Sequence, residues 1–243
     1  MMRYFKSAFI LGSTSAVAKS ICIKLAKNGC NRFHLVCKDL QKNIDLVNLL
    51  QKQFKAKVTQ EENNLLFNCS LDDCFIPEID FYDLYLISAG TLGDEKLARK
   101  DVSEALKINY VNYLGILPWL TQITKHNRME YEGSLWVFTS VASERGRPSN
   151  YHYGSAKAAL NTYCEGLLLR CQKKPFSIRI IKAGFMKTPM ALNAPSFISI
   201  STNRVADYLM RRPEKRGIEY LPWWWSIIMF IVRNLPTKYA AKL

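Results

Sequence analysis

Short, almost uninterrupted apolar runs alternate along the chain with longer segments in which apolar residues recur every three or four positions. The short runs predict β-strands covered on both faces of a sheet, and the longer segments predict amphipathic helices. The six predicted strands are residues 8–11, 33–37, 65–68, 84–87, 135–139 and 177–182. The predicted helices are residues 15–28, 40–54, 101–123, 152–173 and 202–211. This alternation is typical of βαβ units, so we expect a single doubly wound α/β domain with a parallel sheet.

A glycine-containing turn follows the first predicted strand and leads into the first predicted helix. Its residues are Gly12, Ser13, Thr14, Ser15, Ala16 and Val17. A glycine lets the strand turn tightly, and the free N–H groups and positive dipole end of the helix favour a pyrophosphate. The turn therefore predicts a Rossmann-type dinucleotide site, while an ordinary serine cap at the start of a helix is the alternative.

The end of the second predicted strand bears on which dinucleotide binds. In such folds an acidic side chain here selects a free ribose 2′-hydroxyl, and a basic one accepts a 2′-phosphate. Lys38 and Asp39 stand side by side at this place. We expect NADP(H) from Lys38, with NAD(H) as the alternative from Asp39, and a solvated strand end would explain both residues equally well.

A tyrosine and a lysine four residues apart carry the strongest chemical signal. Tyr153 and Lys157 share one helical face, and Ser140 stands at the end of the strand before them. A free phenol has a pKa of about 10, and we expect the neighbouring ammonium to lower the pKa of Tyr153 so that it exchanges protons near neutrality. Ser140 would hydrogen-bond a substrate carbonyl. Chance alone would give such a pair in this lysine-rich chain, but the order of turn, serine and pair brings all three to one sheet edge.

Over about residues 7–190 the chain resembles the short-chain dehydrogenase/reductase family. The resemblance rests on Gly12-xxx-Ala16-x-Ala18, Ser88-Ala89-Gly90, the serine, tyrosine and lysine just described, and Ala183-Gly184. It implies a catalytic tetrad of Asn112, Ser140, Tyr153 and Lys157, where Asn112 fits because Asn112-Tyr113-Leu114-Gly115 matches the family's Asn-x-x-Gly. Ala16 and Ala18 stand where the family has glycines and limit how closely the backbone approaches the phosphates.

The same resemblance implies a set of cofactor contacts. In it Lys157 holds the nicotinamide ribose, and Thr188 contacts the cofactor near its carboxamide or pyrophosphate. The implied cofactor-binding residues are Gly12, Ser13, Thr14, Ser15, Ala16, Val17, Lys38, Asn68, Ala89, Gly90, Tyr153, Lys157, Gly184 and Thr188.

Composition narrows the setting and the partners. At 243 residues and 49% apolar the chain can bury a full core, and its net charge of +14 makes an anionic partner expected: a nucleotide, a phosphorylated substrate or an acidic membrane face. Nucleic acid is not expected, because no groove-reading or stacking motif occurs. Seven cysteines without a CxxC pair, beside three histidines, predict no metal site and a reducing, cytoplasmic setting.

The C-terminal segment carries a thirteen-residue uncharged run, residues 220–232, with three tryptophans and basic neighbours on both sides. As a helix it would reach roughly 20 Å, too short for a hydrocarbon core of about 30 Å. We expect an interfacial anchor on the inner, anionic face of the cell membrane; a helix packed in the core or in a homo-oligomer interface is the alternative. Residues 1–200 are then the dinucleotide-binding and catalytic part, and residues 201–243 a helical, membrane-interacting tail of the same domain.

A narrower resemblance adds a substrate hypothesis. The turn at 12–18, residues 89–94, residues 141–151 and the Pro-Trp-rich tail are together similar to the decaprenylphosphoryl 2-keto-ribose reductases. That resemblance implies an NAD(P)H-dependent reduction of a keto sugar carried on a polyprenyl phosphate, in cell-envelope glycan synthesis, with a separate flavin-dependent oxidase as partner. The alternatives are a reductase of a soluble ketone or fatty-acyl intermediate, and a non-catalytic cofactor-binding protein. The intact serine, tyrosine and lysine argue against the last.

Overall fold

Seven parallel strands form one central sheet in the computed structural model, which describes residues 5–67, 74–191 and 195–242. The strand order is β3-β2-β1-β4-β5-β6-β7. The chain therefore moves outward from β1 to one edge, and then from β4 to the other. This reversal between β1 and β4 is the topological switch point at which such sheets bind ligands. The strands are β1 Ser7–Leu11, β2 Arg32–Cys37, β3 Lys57–Glu62, β4 Leu84–Ile87, β5 Gly133–Ser140, β6 Phe176–Ala183 and β7 Gly217–Leu221.

Helices cover both faces of the sheet. Successive residues of each strand point to opposite faces, so each strand contacts the helices on both sides. Ile10 of β1 packs with α1, α2 and α8, whereas Phe9 and Leu11 pack with α5 and α7 on the other face. The predicted doubly wound parallel fold is thus confirmed. The helices are α1 Ala16–Lys27, α2 Ile44–Phe54, α3 Glu95–Ala98, α4 Val102–Asn112, α5 Leu117–Ile123, α6 His126–Met129, α7 Tyr151–Arg170, α8 Thr202–Arg211, α9 Trp225–Asn234 and α10 Thr237–Ala240.

The third strand lies elsewhere than predicted. Leu65–Phe67 forms a 3-10 helix, and β3 is Lys57–Glu62 at the edge of the sheet. An edge strand is partly solvated, so its sequence, KVTQEE, has no continuous apolar run to reveal it. Asn68, the last residue of the strand predicted there, lies outside the described residues.

Two further boundaries differ from the prediction. The long helix predicted at 101–123 is divided into α4 and α5 by a 3-10 turn at Leu114–Ile116. Within the predicted helical tail, Gly217–Leu221 forms β7 and pairs in parallel with β6. Part of the C-terminal segment therefore belongs to the sheet.

A buried ion pair fixes β7 against its neighbour. Arg179 of β6 pairs with Glu219 of β7, and both side chains are almost fully buried. Arg179 Nη1 also donates to the backbone oxygens of Leu209, at 3.0 Å, and Arg212, at 2.9 Å. The guanidinium thus joins the last strand to the end of α8.

The apolar helix that follows β7 is α9, which is ten residues long. Trp225 and Met229 on one side of it are buried against Val141. Among the described residues, none of the helices combines the length and the apolar character that a membrane crossing requires.

Candidate active site

The turn after β1 requires glycine at its first position. Gly12 has a φ of +84°, and a Cβ there would lie 2.5 Å from the backbone nitrogen of Ala89. The Gly12 N–H donates to the Val36 oxygen at 2.9 Å, which holds the turn against the end of β2. Both the conformation and the close approach of the β4 loop exclude a side chain. The turn is therefore built at the switch point, beside the loop that carries Ala89 and Gly90.

The hydroxyl groups of the turn are largely used within the protein. Ser13 is fully buried; its Oγ donates to the Val36 oxygen at 3.2 Å and accepts from Asn43 Nδ2 at 2.6 Å. Ser15 caps α1 by accepting from the Ala18 N–H at 3.1 Å. The cap that was the alternative to a phosphate turn is thus present. Because Thr14 and Ala16 are partly exposed, the N-terminal end of α1 nevertheless stays accessible to an anion.

The two residues at the end of β2 have different surroundings. Asp39 Oδ1 accepts from the Gln41 N–H at 3.0 Å, and its carboxylate pairs with Lys42 at 3.5 Å. It is therefore occupied as the cap of the 3-10 helix that begins at Leu40. Lys38 is exposed, and no acidic side chain pairs with it in the ranges that the structure covers. This arrangement favours a phosphate at this strand end over a ribose hydroxyl.

Ser140, Tyr153 and Lys157 converge at the carboxyl end of β5. Ser140 is the last residue of that strand, and its side chain is hydrogen-bonded to Tyr153 in the first turn of α7. Lys157 lies one turn further along, with Nζ 5.9 Å from the centroid of the Tyr153 ring. The helix can approach so closely because Gly154 faces the Ala142 carbonyl, which a Cβ would meet at 2.9 Å.

Burial sets the proton affinities of this pair. It raises the pKa of Tyr153, while the hydrogen bond from Ser140 acts in the opposite direction. It lowers the pKa of Lys157 to about 8. The expectation that the ammonium lowers the pKa of Tyr153 is therefore wrong for this structure, because removing the phenol from water outweighs its neighbours. The tyrosine is held as a neutral phenol at neutral pH.

Asn112 braces the loop after β4. Its Nδ2 donates to the backbone oxygens of Thr91, at 2.7 Å, and Ile108, at 2.8 Å, and its Oδ1 accepts from the Thr91 N–H at 3.2 Å. Gly90 passes between two site residues: a Cβ there would lie 2.8 Å from Asn112 Oδ1 and 3.1 Å from Lys157 Nζ. Asn112 thus fixes the loop backbone that Lys157 faces.

Lys157 has room for a further acceptor. Its buried Nζ donates to the Ala89 oxygen at the long distance of 3.4 Å, and no acidic side chain pairs with it in the part of the chain under description. An ammonium has three donors, so hydroxyl oxygens such as those of a ribose would satisfy the remaining ones. Together with the accessible α1 end and Lys38, this donor fits a dinucleotide laid across the switch point.

Gly184 and Thr188, which the resemblance implies as cofactor contacts, lie in the segment after β6. The Gly184 N–H donates to the Leu221 oxygen at 2.8 Å, and a Cβ on Gly184 would overlap the indole of Trp225. Thr188 is partly exposed, with Oγ1 3.5 Å from the Met186 oxygen. Trp225 of α9, assigned from sequence only to the apolar tail, thus lies directly against this site segment, and its buried Nε1 has no hydrogen-bond partner among the residues described.

A buried charged cluster ties the same region to α9. The carboxylate of Glu144, just after Ser140, pairs with Lys182 at 2.6 Å and with Arg233 at 3.2 Å. Although burial opposes it, the hydrogen bond from Lys182 lowers the pKa of Glu144. The ends of β5, β6 and α9 are therefore linked through one anion.

Arg147 is a second residue that the sequence analysis did not single out. It lies in the loop between Ser140 and Tyr153, and its buried Nε has no hydrogen-bond partner among the described residues. Burial lowers its pKa, and no acidic side chain in the described ranges opposes that effect. A partly desolvated guanidinium without an anion is a candidate for binding one. The sequence around Arg147 contains no motif or regular spacing that would have identified it as a binding residue.

The chain is similar to several known proteins. It is 31% identical over 153 residues to an uncharacterized oxidoreductase of Mycobacterium tuberculosis; the match covers 62% of this chain and spans 61% of that relative's length. A short-chain dehydrogenase of Burkholderia cenocepacia, solved in complex with NADP, superposes with a TM-score of 0.77 at 16% identity, covering 100% of this chain and 99% of that one. A 3-oxoacyl-[acyl-carrier protein] reductase of Brucella melitensis with bound NAD gives a TM-score of 0.69 at 15% identity, covering 88% and 87%.

One family model accounts for most of the sequence. The model of the short chain dehydrogenases matches residues 6–197, a range that begins just before β1 and contains the turn, Asn112, Ser140 and the Tyr153–Lys157 pair. Since the match covers well over half of the chain, the protein belongs to the short-chain dehydrogenase/reductase family of oxidoreductases.

Proposed function

We propose that the protein is an NADP(H)-dependent reductase that converts a keto group into an alcohol. The observation that carries the proposal is the convergence of Ser140 and Tyr153 at the carboxyl end of β5 beside the buried Lys157, whose ammonium pairs with no acidic side chain among the described residues. A protein that only bound a nucleotide would not need a phenol and a serine hydroxyl brought together beside that ammonium.

The residues at the switch point would hold the cofactor. The α1 end would receive the pyrophosphate, Lys38 the 2′-phosphate, and Lys157 the nicotinamide ribose. The solved relatives above contain NADP in one case and NAD in another. We favour NADP(H) for this chain because Asp39 is occupied as a cap and Lys38 has no anionic neighbour among the residues in view.

The reduction needs one hydride and one proton, and a reduced nicotinamide bound at this place would supply the hydride. Ser140 orients the carbonyl by donating to its oxygen, and Tyr153 gives that oxygen a proton. The raised pKa of Tyr153 keeps the phenol protonated and ready to donate. Lys157 stabilises the phenolate that forms, and Asn112, through the loop it braces, supports a water that returns the proton.

We further propose that the keto group belongs to a sugar carried on a polyprenyl phosphate, as in cell-envelope glycan assembly, where a flavin-dependent oxidase would supply the ketone. Three observations support an anionic, lipid-bearing substrate. Arg147, in the loop before Tyr153, pairs with no acidic side chain among the described residues, the net charge is +14, and α9, whose inner side packs on the site segment, exposes apolar side chains on its outer side.

The reaction is tested first with Tyr153→Phe. This variant keeps the ring and loses the proton donor, so we expect turnover to fall by about a hundredfold or more while NADPH binding, measured by titration, stays within about twofold. Full activity in the variant would contradict the proposed mechanism.

The substrate class is tested by comparing NADPH oxidation with three ketones: a keto sugar on a short prenyl phosphate, the same sugar without phosphate, and a 3-oxoacyl thioester. Arg147→Ala should raise KM for the phosphate-bearing ketone about tenfold or more, as expected for a lost hydrogen bond to a charged group, and leave the phosphate-free ketone unaffected. Arg211→Ala, at the exposed end of α8, is the matched control. Preference for the thioester would favour the soluble acyl-reductase alternative.

A further inference from the structure

Helix α9 exposes an apolar surface on its outer side, away from the catalytic residues. We call it the α9 face: Ile227, Phe230 and Ile231 on the helix, and Trp223 and Trp224 in the turn before it. Their exposed fractions are 54%, 64%, 56%, 64% and 38%, respectively. The three helical positions are spaced by three, four and one residues, so they lie side by side on one surface. A solvated helix normally carries polar residues at such positions.

This exposure does not come from a loosely attached helix. The opposite side of α9 is buried through Trp225 and Met229. Arg145 Nη1 donates to the oxygens of Val232, at 3.1 Å, and Arg233, at 2.6 Å, so the last turn is capped from the catalytic loop. The helix is fixed to the domain, and its apolar outer side faces outward.

The charged residues of the segment that carries the α9 face, from Tyr220 onward, have one sign. From Tyr220 to the C-terminus the sequence contains no aspartate or glutamate, but three cations, Arg233, Lys238 and Lys242. Lys238 and Lys242 are exposed, and neither has an ion pair within the ranges the structure describes. Tryptophans at the edge of an apolar surface with a cationic border are typical of segments that lie in the headgroup region of an anionic bilayer.

The same charges argue against a second copy of the chain as the occupant. A symmetric contact would bring two cationic borders into one interface, because a two-fold interface is built from the same surface of both copies. Such like charges oppose association, whereas anionic lipid headgroups would neutralise them. An anionic bilayer would therefore both bury the apolar side chains and neutralise the cations beside them.

We propose that the α9 face docks the protein in the plane of an anionic lipid bilayer. A ten-residue helix is about 15 Å long and lies along the surface, with its apolar side chains among the acyl-chain ends. Trp225, on the inner side of the same helix, contacts Gly184 of the site, so docking holds the active site at the membrane surface. This inference concerns location and stands whether or not the proposed substrate is correct.

The test is flotation of the full chain with vesicles of equimolar phosphatidylglycerol and phosphatidylcholine, compared with phosphatidylcholine alone. We expect binding to the anionic vesicles only, weakened by raising the salt from about 0.1 M to about 1 M. Ile227→Ser/Phe230→Ser/Ile231→Ser should weaken it at least about tenfold, since three apolar side chains are removed from the bilayer. Lys238→Glu/Lys242→Glu should weaken it at anionic vesicles in the same direction.

A matched control replaces three other exposed apolar residues, Val102, Leu106 and Leu169, by serine. These lie on α4 and α7, and this variant should bind vesicles like the unchanged protein. Circular dichroism and turnover of a water-soluble ketone establish that each variant is folded. Equal vesicle binding by the α9 variant and the unchanged protein would overturn the proposal. If light scattering then showed that only the α9 variant had lost a dimer, a second copy would be the occupant instead.

Discussion

Replacing Lys157 by methionine should stabilise the protein while destroying its activity. Lys157 is 4% exposed, and burial lowers its pKa from 10.5 to about 8. At neutral pH the side chain is charged in both the folded and the unfolded states, so folding must bury the charge. At about 1.4 kcal/mol for each pH unit between the two pKa values, this costs about 3 kcal/mol. Methionine fills a similar volume without a charge and gives up only the long contact with the Ala89 oxygen.

The difference between the folded-state and unfolded-state pKa of Lys157 also sets how the stability gained by Lys157→Met changes with pH. The folded-state pKa lies below the unfolded one, so the penalty is complete below about pH 8 and disappears as the pH rises towards 10.5. Urea unfolding at pH 7 should therefore show Lys157→Met to be more stable by up to about 3 kcal/mol, or roughly 6–12 °C in Tm. The advantage should shrink at pH 10. Lys52→Met, at an exposed site on α2, is the control and should change little. A less stable Lys157→Met, or a pH-independent difference, would refute the reasoning.

Two further predictions concern the edges of the site. Lys38→Ala should weaken NADPH binding about tenfold or more and leave NADH binding nearly unchanged, because only the 2′-phosphate loses its cation. A titration with each cofactor measures both affinities, and equal losses would contradict the role of Lys38. Gly184→Ala should destabilise the protein by about 1–3 kcal/mol, because the new Cβ overlaps Trp225, and an unchanged unfolding midpoint would show that α9 does not pack there.

Strands buried on both faces could be predicted from the sequence, and edge strands could not. β1, β4, β5 and β6 appear as apolar runs because both of their sides are covered by helices. β3 reads KVTQEE, since solvent reaches it, and β7 contains Glu219, which is buried only because Arg179 lies beside it. That compensation depends on a residue 40 positions away and leaves no local pattern.

The site shows a similar division. The turn, Ser140 and the Tyr153–Lys157 pair could be found because strand ends and helical spacing determine where they meet. Trp225 and Arg147 could not, since their significance lies in a tertiary contact and in the lack of an anionic neighbour among the described residues. The direction of the Tyr153 pKa was also beyond the sequence, because it depends on how completely the folded chain removes the phenol from water.

The junction of Arg179 with Glu219 has a practical consequence for handling the protein. A shortened chain lacking everything from Tyr220 onward would keep three of the five residues of β7, including the buried Glu219, and it would lose the Trp225 indole that packs against Gly184. Truncation would therefore disturb the buried core, and a loss of activity or of vesicle binding could not be assigned to the removed surface. The proposed membrane binding is therefore best separated from catalysis by substituting a few exposed side chains at a time in the full-length chain.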